Sequence, residues 1–373
     1  MENIVKDRLE SVRFETAQAY KNLTILPLVA PADGAFEYRT LSEALANWEL
    51  AISEVSAAGS VPELRVVNRA RQAVLLIDGE ELKGAKQNRV LNTSILLKEV
   101  SETRIPVSCT EQGRWSYASK MFSASGHVMA YKSRSKKSRS VHAFLEASGA
   151  PRSDQGEVWE EISLLQAKAQ APSPTSAMSD VYQAREDDLR QCEQRFPLVP
   201  NQVGLFVLID GEPAGLELVS LVRAYRQLHS KLVRSYALDA LLEQDPGAAA
   251  ATPAVQGPGA GAAAGHPTAA AASSAAEPLA AAKGFLETLL GAEEQRFPSI
   301  GHGTEFRYRR GRNHPGQGGA RAGASARALR HSISGSALVH QNEVIHAAFF
   351  RLDETESAEG MAPYRHRGRW RVE

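Results

Sequence analysis

Four clusters of polar side chains hold the residue types that bind or transform ligands. The first packs Glu80, Glu81, Lys83, Lys86, Gln87, Asn88 and Arg89 into one stretch punctuated by Gly84. The second, Cys109 to Trp115, adds Glu111, Gln112 and Arg114; the third, Ser153 to Trp159, adds Asp154, Gln155 and Glu157; the fourth runs from Ser235 to Asp239. Lys83, Lys86, Arg89 and Arg114 suit a phosphate or pyrophosphate, the arginines through a bidentate fork. Trp115 suits stacking on an adenine or nicotinamide ring, with Gln87, Asn88 and Gln112 reading its edge; Gln155 completes the ligand-binding set. If the protein is an enzyme, Glu81, Glu111 and Asp154 are the candidate acid and base for cleaving a glycosidic bond. Carboxylates also suit Mg²⁺, yet the sequence assigns no metal and names no cofactor. A simpler account of the same residues is caps and salt bridges. Asp154 and Glu157 sit where a helix N-terminus favours acids, and the cations would pair with Glu80, Glu81 and Glu111 on a solvated hairpin. Against full solvation, Asn88-Arg89 runs into apolar Val90-Leu91, and a buried arginine needs a partner.

Other reactive residue types are sparse. Cys109 near Arg114 would be an activated thiolate, but a lone cysteine in an apolar strand reads first as a small buried residue. His340 and His346 flank a hairpin and would face each other across it; without a third ligand they make a weak metal site. No G-x-G-x-x-G follows a strand and no G-x-x-x-x-G-K-[ST] occurs, so the standard phosphate loops are absent. Lysine plus arginine and aspartate plus glutamate balance at 43 each, so no global field favours nucleic acid or an anionic membrane. The charged N-terminus lacks a signal-peptide core, and no apolar run approaches the roughly 20 residues of a membrane span. Two cysteines form no disulfide framework. These features lead to an expected cytoplasmic location.

The elements that must position these groups follow from pattern. Residues 1–20 have roughly helical spacing. Leu23–Val29 reads as a strand, and Thr40-Leu41-Ser42-Glu43 as a capping box opening a short helix. Strands are expected over Ala51–Val55, Glu63–Asn68, Ala73–Ile77, Val90–Lys98 and Arg104–Thr110, too closely spaced for crossover helices. Asp78-Gly79 reads as a hairpin turn; V-L-I-D-G-E at Val207 to Glu212 repeats it, and Gln341-Asn342 makes a third. Internal duplication and the common form of hairpins both account for this. The run Lys132–Arg139 reads as a solvated loop, with phosphate contact as the sharper alternative. Val141–Ala147 reads as helix, Ser153 or Asp154 caps the next, and Thr175 caps a third helix to about Arg195. Val203–Ile209 is a strand and Ser220–Gln244 a long helix. Residues 245–276, rich in Ala, Gly and Pro, have too little apolar surface to order. Leu279–Ala292 resumes as helix, Thr304–Arg309 and Arg330–Ser334 as strands, with low complexity between them at 311–325.

The stretch D-G-E-E-L-K-G-A-K-Q-N-R resembles the ARG and Rhodanese-Phosphatase-superfamily-associated Protein domain family. So do I-P-V-S-C-T-E-Q-G-R-W (Ile105 to Trp115), S-D-Q-G-E-V-W (Ser153 to Trp159), S-P-T-S-A-M (Ser173 to Met178) and K-L-V-R-S-Y-A-L-D-A-L (Lys231 to Leu241). The resemblance spans about residues 20–350, less the two low-complexity insertions. The family's name points to company with ADP-ribosylglycohydrolases and rhodanese-type phosphatases. It implies an ADP-ribose or phosphate context and supplies no catalytic residues. It also implies that the part after residue 276 completes the same domain.

The expectation is an α+β protein: an antiparallel, sandwich-like sheet assembly packed with several helices. Its parts are an N-terminal helix (1–20), a main domain (21–244), the flexible segment (245–276), a completing part (277–350) and a tail (351–373). The leading functional expectation is a binding or accessory protein for a small phosphorylated or ADP-ribose-like ligand. A hydrolase acting on a nucleotide or ADP-ribosyl bond is the alternative, and a protein-protein module the third. No membrane partner is expected, and nucleic acid is disfavoured.

Overall fold

The computed structural model describes residues 1–56, 59–244, 269–311 and 332–352. The chain opens with α1 (Asn3–Ser11), β1 (Arg13–Phe14), β2 (Gln18–Tyr20), β3 (Leu23–Val29), β4 (Tyr38–Thr40) and α2 (Leu41–Ala46). Eight strands follow: β5 (Leu50–Glu54), β6 (Glu63–Asn68), β7 (Ala73–Leu76), β8 (Glu80–Gly84), β9 (Arg89–Leu91), β10 (Ile95–Leu97), β11 (Ser101–Cys109) and β12 (Phe122–Val128). Next come α3 (Tyr131–Ser148), α4 (Gln155–Ala169), α5 (Met178–Ala184), α6 (Glu186–Arg195), β13 (Gln202–Ile209), β14 (Glu212–Val219) and α7 (Val222–Glu243). Last are α8 (Ala269–Leu290), β15 (Glu293–Pro298), β16 (Thr304–Arg310), β17 (Ser332–His340) and β18 (Glu343–Leu352). The α+β class holds. Pairing is antiparallel throughout the described strands except for β4 beside β7.

Strand alternation builds the core. In β3, Leu23 and Ile25 face one cluster with Leu205 and Val207 of β13, while Leu26 and Leu28 face the other with Phe206 and Leu208. Both faces of this nine-stranded sheet are therefore apolar, and both are covered: α7 and α3 pack on one, α1 and α8 on the other. Strands β15 to β18 extend the same sheet that holds β13 and β14. A six-stranded sheet (β12-β8-β9-β11-β6-β5) and a three-stranded one (β10-β7-β4) enclose a separate apolar cluster with α2. The helix α2 starts at the expected capping box, with Thr40 and Glu43 satisfying each other's backbone amides. No described helix is long and apolar enough to cross a membrane.

Several expectations change. Residues 1–20 hold a helix only to Ser11, because Arg13–Phe14 and Gln18–Tyr20 pair with β3. The segment Val90–Lys98 divides into β9 and β10, which belong to different sheets. Asp78-Gly79 is not a hairpin turn but a corner: β7 pairs with β10, and β8 leaves for the six-stranded sheet. Asp210-Gly211 and Gln341-Asn342 do close hairpins, with left-handed φ of 52°, 76°, 49° and 61°. Of the low-complexity segments, 245–268 and 312–331 lie outside the described residues, as does the tail beyond Leu352; residues 269–276 begin α8.

The largest departure is the basic run. Residues 132–139 lie inside α3, with Ser133, Arg134, Ser135, Lys137 and Ser138 buried. Two acids from elsewhere in the fold account for the buried cations, and Arg307 of β16 adds a bond to Ser138. Arg134 donates to both oxygens of Glu217 on β14 at 2.9 and 2.8 Å, and both side chains are buried. Lys137 pairs with Asp78 at the corner and donates to the Leu91 carbonyl at 2.8 Å. Arg307 pairs with Glu305 and donates to Thr93 Oγ1 at 3.0 Å and Ser138 Oγ at 3.2 Å. Buried charge persists only when paired, so this ionic layer fixes α3, the corner and the large sheet against one another. It leaves Arg134 and Lys137 no access to nucleic-acid phosphates.

Candidate functional site

A cleft of about 360 Å³ opens beside β8. Its lining includes Lys83, Asn88, Glu111, Arg114, Ser119, Ser123, Thr175, Ser179 and Asp180. Glu111 is the hub of one wall. It accepts from Asn88 N at 3.1 Å, Thr175 Oγ1 at 2.8 Å, Arg114 Nε at 2.8 Å and Arg114 Nη2 at 2.5 Å. Burial pushes this carboxyl up, but Arg114, Thr175 and the Asn88 amide outweigh it and hold it below its ordinary range. Arg114 also donates to the carbonyls of Ala85 at 2.7 Å and Ser116 at 2.9 Å. Its fork therefore staples the loop after β11 to the end of β8.

Lys83 is exposed, whereas Glu80, Glu81, Leu82 and Gly84 around it are buried. Its ammonium has no side-chain partner among the described residues, so it is the cation the cleft offers to a ligand. Two residues along the same strand face lies Glu81. The register sets Ala124 opposite Leu82 and Val128 opposite Glu80, so Ser125, Gly126 and His127 bulge out opposite Glu81. Glu81 Oε1 accepts from Thr110 Oγ1 at 2.8 Å, and Oε2 has no partner among the described residues. Burial raises Glu81 to about 7, despite the hydrogen bond from Thr110 and the nearby Ser125 hydroxyl and Lys83. Burial also lowers His127, stacked on Tyr182 at 4.3 Å, to about 4.

Of the residues proposed from sequence, Lys83, Asn88, Glu111 and Arg114 come together in the cleft. The others take structural posts. Arg89 is wholly buried, donates to Gln87 Oε1 at 3.0 Å and lies 5.8 Å under the Trp115 ring, so it cannot reach a ligand in the cleft. Lys86 lies over Trp115 and Tyr117 at 5.1 and 5.3 Å, and a partly exposed Trp115 caps it. Gln112 gives its carbonyl to Gln87 Nε2 at 3.4 Å. Gln155 mimics a strand at the end of β11, accepting from Cys109 N at 2.8 Å and donating to its carbonyl at 3.0 Å. Asp154 caps α4, accepting from Gly156 N at 2.8 Å and Glu157 N at 3.2 Å; that capping leaves it no acid or base role in the cleft. Cys109 donates to Gln87 Oε1, and burial pushes its thiol up to about 11, which removes the activated-thiolate reading. His346 is buried against Ser94 Oγ at 2.8 Å while His340 stacks on His302 at 4.7 Å, so the two do not face each other. No group of three metal-ligating side chains occurs among the described residues. In the fourth cluster, Asp239 on α7 accepts from Lys132 N at 3.0 Å and so caps α3.

Sequence reasoning missed Ser119, Ser123, Ser179 and Asp180 as cleft residues and gave Thr175 the wrong task. Thr175 caps no helix; α5 begins after Ala177, and the Thr175 hydroxyl serves Glu111. The S-P-T-S-A-M stretch carried the available signal, since a segment that bridges Ala177 to Glu111 approaches β11 whatever its own structure.

A sequence model of the ARG and Rhodanese-Phosphatase-superfamily-associated Protein domain matches residues 11–350. The chain belongs to that family. The match spans the cleft, the ionic layer and both sides of the Ala/Gly-rich segment. No curated protein and no solved structure matches the chain.

Proposed function

We propose that this family member is a cytoplasmic binding protein whose cleft takes a small phosphorylated or ADP-ribose-like ligand. The observation that carries the reading is Lys83: a lone exposed cation on an otherwise buried strand, facing a cleft walled by hydroxyls and a fixed Glu111–Arg114 pair. An ammonium offers a phosphate a point charge, and Ser179 offers a donor to its oxygens or to a ribose, while the Thr175 and Ser123 hydroxyls already donate to Glu111 and the Lys83 carbonyl and present acceptors. The volume suits a ribose phosphate better than a whole dinucleotide, so an ADP-ribosyl ligand would enter by one end. The presence of a concave polar cleft supports a small ligand over a flat interaction module.

Thermal unfolding tests this. A ligand at about 100 times its dissociation constant stabilises by roughly 2.7 kcal/mol. ADP-ribose, NAD, mononucleotides or inorganic phosphate should raise the melting temperature of the wild type and not of Lys83→Ala. The substitution is at an exposed site and should change stability by less than about 0.5 kcal/mol. A ligand shift retained by Lys83→Ala would remove this reading.

One observation favours the hydrolase as a second reading. Glu81 is a buried carboxyl that holds its proton near neutrality, opposite the β12 bulge and two residues along β8 from Lys83. Because its folded pKa is raised, the folded state binds the extra proton, and stability is lost as pH rises from about 4.5 to about 7. Glu81→Gln keeps a neutral acceptor for Thr110. Its stability relative to wild type should therefore climb across that window and level off above it in urea unfolding followed against pH. A difference that stays flat from pH 4 to 8 would mean that folding does not shift Glu81 from its ordinary range.

A further inference from the structure

The balanced overall charge conceals a local imbalance at one end of the six-stranded sheet. Leu50, which starts β5, and Ser101, which starts β11, both pair with Asn68, the last residue of β6. Backbone bonds draw the adjoining turns together: Arg69 N to Glu49 O at 2.7 Å and Val100 N to Ala70 O at 3.1 Å. Asn68 ties in the third turn, donating to the carbonyls of Gln72 at 3.1 Å and Lys98 at 2.8 Å. On this rim stand Trp48, 86% exposed, and Val100, 70% exposed. Both are held at left-handed φ, 58° and 42°, a conformation that disfavours side chains generally and β-branched ones most. Arg69, Arg71 and Lys98 are exposed beside them, and none has a side-chain partner among the described residues. The acids of the rim are already engaged: Glu49 with Arg39 at 3.0 Å and Glu99 with His302 at 3.0 Å.

We propose that this rim, with Trp48 and Val100 at its tips and Arg69, Arg71 and Lys98 around them, docks on an anionic lipid surface. Strained, exposed apolar residues mark places where the fold tolerates cost for contact with something else. Charge decides what. Three free cations set against themselves disfavour a second copy of the chain and favour an anionic surface. Two exposed apolar side chains among cations give no broad apolar core of the kind a protein interface needs. A lipid surface demands no such complementarity: tryptophan settles at the headgroup level, an aliphatic tip enters the acyl boundary, and cations meet the anionic headgroups. Nucleic acid would use the tryptophan and the cations but has no role for Val100. The proposal is independent of the cleft.

Sedimentation of the full chain with vesicles tests it. The protein should pellet with phosphatidylcholine vesicles containing phosphatidylserine, not with phosphatidylcholine alone, and salt should release it. Arg69→Ser and Lys98→Ser should each weaken binding about fivefold. Trp48→Gly and Val100→Gly should abolish most of the pelleting while raising the melting temperature by about 1–3 °C, since glycine accepts the left-handed φ. That opposition separates lost docking from lost folding. Wild type left in the supernatant with both vesicle types overturns the proposal, as does pelleting that survives Trp48→Gly. Binding to soluble polyglutamate or to poly-uridylate in place of vesicles would also overturn it and make an acidic protein or an RNA the partner.

Discussion

Replacing Glu217 by Gln is expected to destabilise the protein by about 3–5 kcal/mol, the cost of leaving a buried charge without its counter-ion. Arg134 donates two hydrogen bonds to Glu217 with neither side chain exposed, and its guanidinium lies 5.0 Å over the Phe350 ring. Burial disfavours the charged arginine, but Glu217 and then Asp78 outweigh that and hold it more firmly protonated than usual. Glutamine fills nearly the same space, so packing changes little and the loss reports on charge. Denaturant unfolding should show a lower midpoint with an unchanged slope. The double substitution Arg134→Met with Glu217→Leu should recover most of the loss, because an apolar pair of similar volume commonly replaces a buried ion pair without penalty. A single-variant loss below about 1 kcal/mol would mean that water reaches the pair.

Gly79→Ala is expected to cost roughly 2–5 kcal/mol. Gly79 has φ +84°, which costs a non-glycine residue about 1–2 kcal/mol. A methyl there would also lie 2.6 Å from Cδ and Nε of Arg134. That side chain cannot swing away, since Glu217 holds its other end; overpacking of this kind costs about 1–3 kcal/mol. The corner cannot shift easily either, because Gly79 N donates to Leu91 O at 3.0 Å and its carbonyl accepts from Met129 N at 2.8 Å. Gly211→Ala is the control: φ is +76° and nothing lies within 4 Å, so only the backbone cost of about 1–2 kcal/mol remains. Equal losses in the two variants would show that Arg134 yields. The corner leads directly into β8, so Gly79→Ala should also weaken ligand binding at Lys83, whereas Gly211→Ala should not.

The legible parts of the sequence were those governed by local chemistry. The Thr40–Glu43 capping box, the Asp154 cap, the α7 stripe and the hairpin at Asp210-Gly211 were all readable because the residues that make them are neighbours. Reading failed where distant partners decide. The run Tyr131 to Arg139 looks solvated until Glu217 and Asp78 are known to meet Arg134 and Lys137. The Asp78-Gly79 pair looks like a hairpin because the turn residues are the same; only pairing of β7 with β10 shows that the chain turns a corner.

The candidate site was legible to the same degree. The charge of D-G-E-E-L-K-G-A-K-Q-N-R correctly marked an unusual segment, and its alternation singles out Lys83 as the outward residue only once the strand is known to be buried on both sides. Arg89 and Arg114 were the natural phosphate ligands by residue type. The structure instead buries one under Trp115 and commits the other to Glu111, Asn88 and three carbonyls. The hydroxyls of Ser123, Thr175 and Ser179 belong to common residues on two segments about 50 residues apart, and nothing in their local sequence announces a shared cleft.

Hydrogen–deuterium exchange of the full chain with and without ADP-ribose, NAD and inorganic phosphate tests the central claim most directly, because it reports where a ligand sits as well as whether it binds. The account predicts added protection in Lys83–Asn88, Ser119–Ser123 and Thr175–Asp180, absent in Lys83→Ala. Binding with protection confined to other segments, or no protection in these three with any of the ligands, would contradict it.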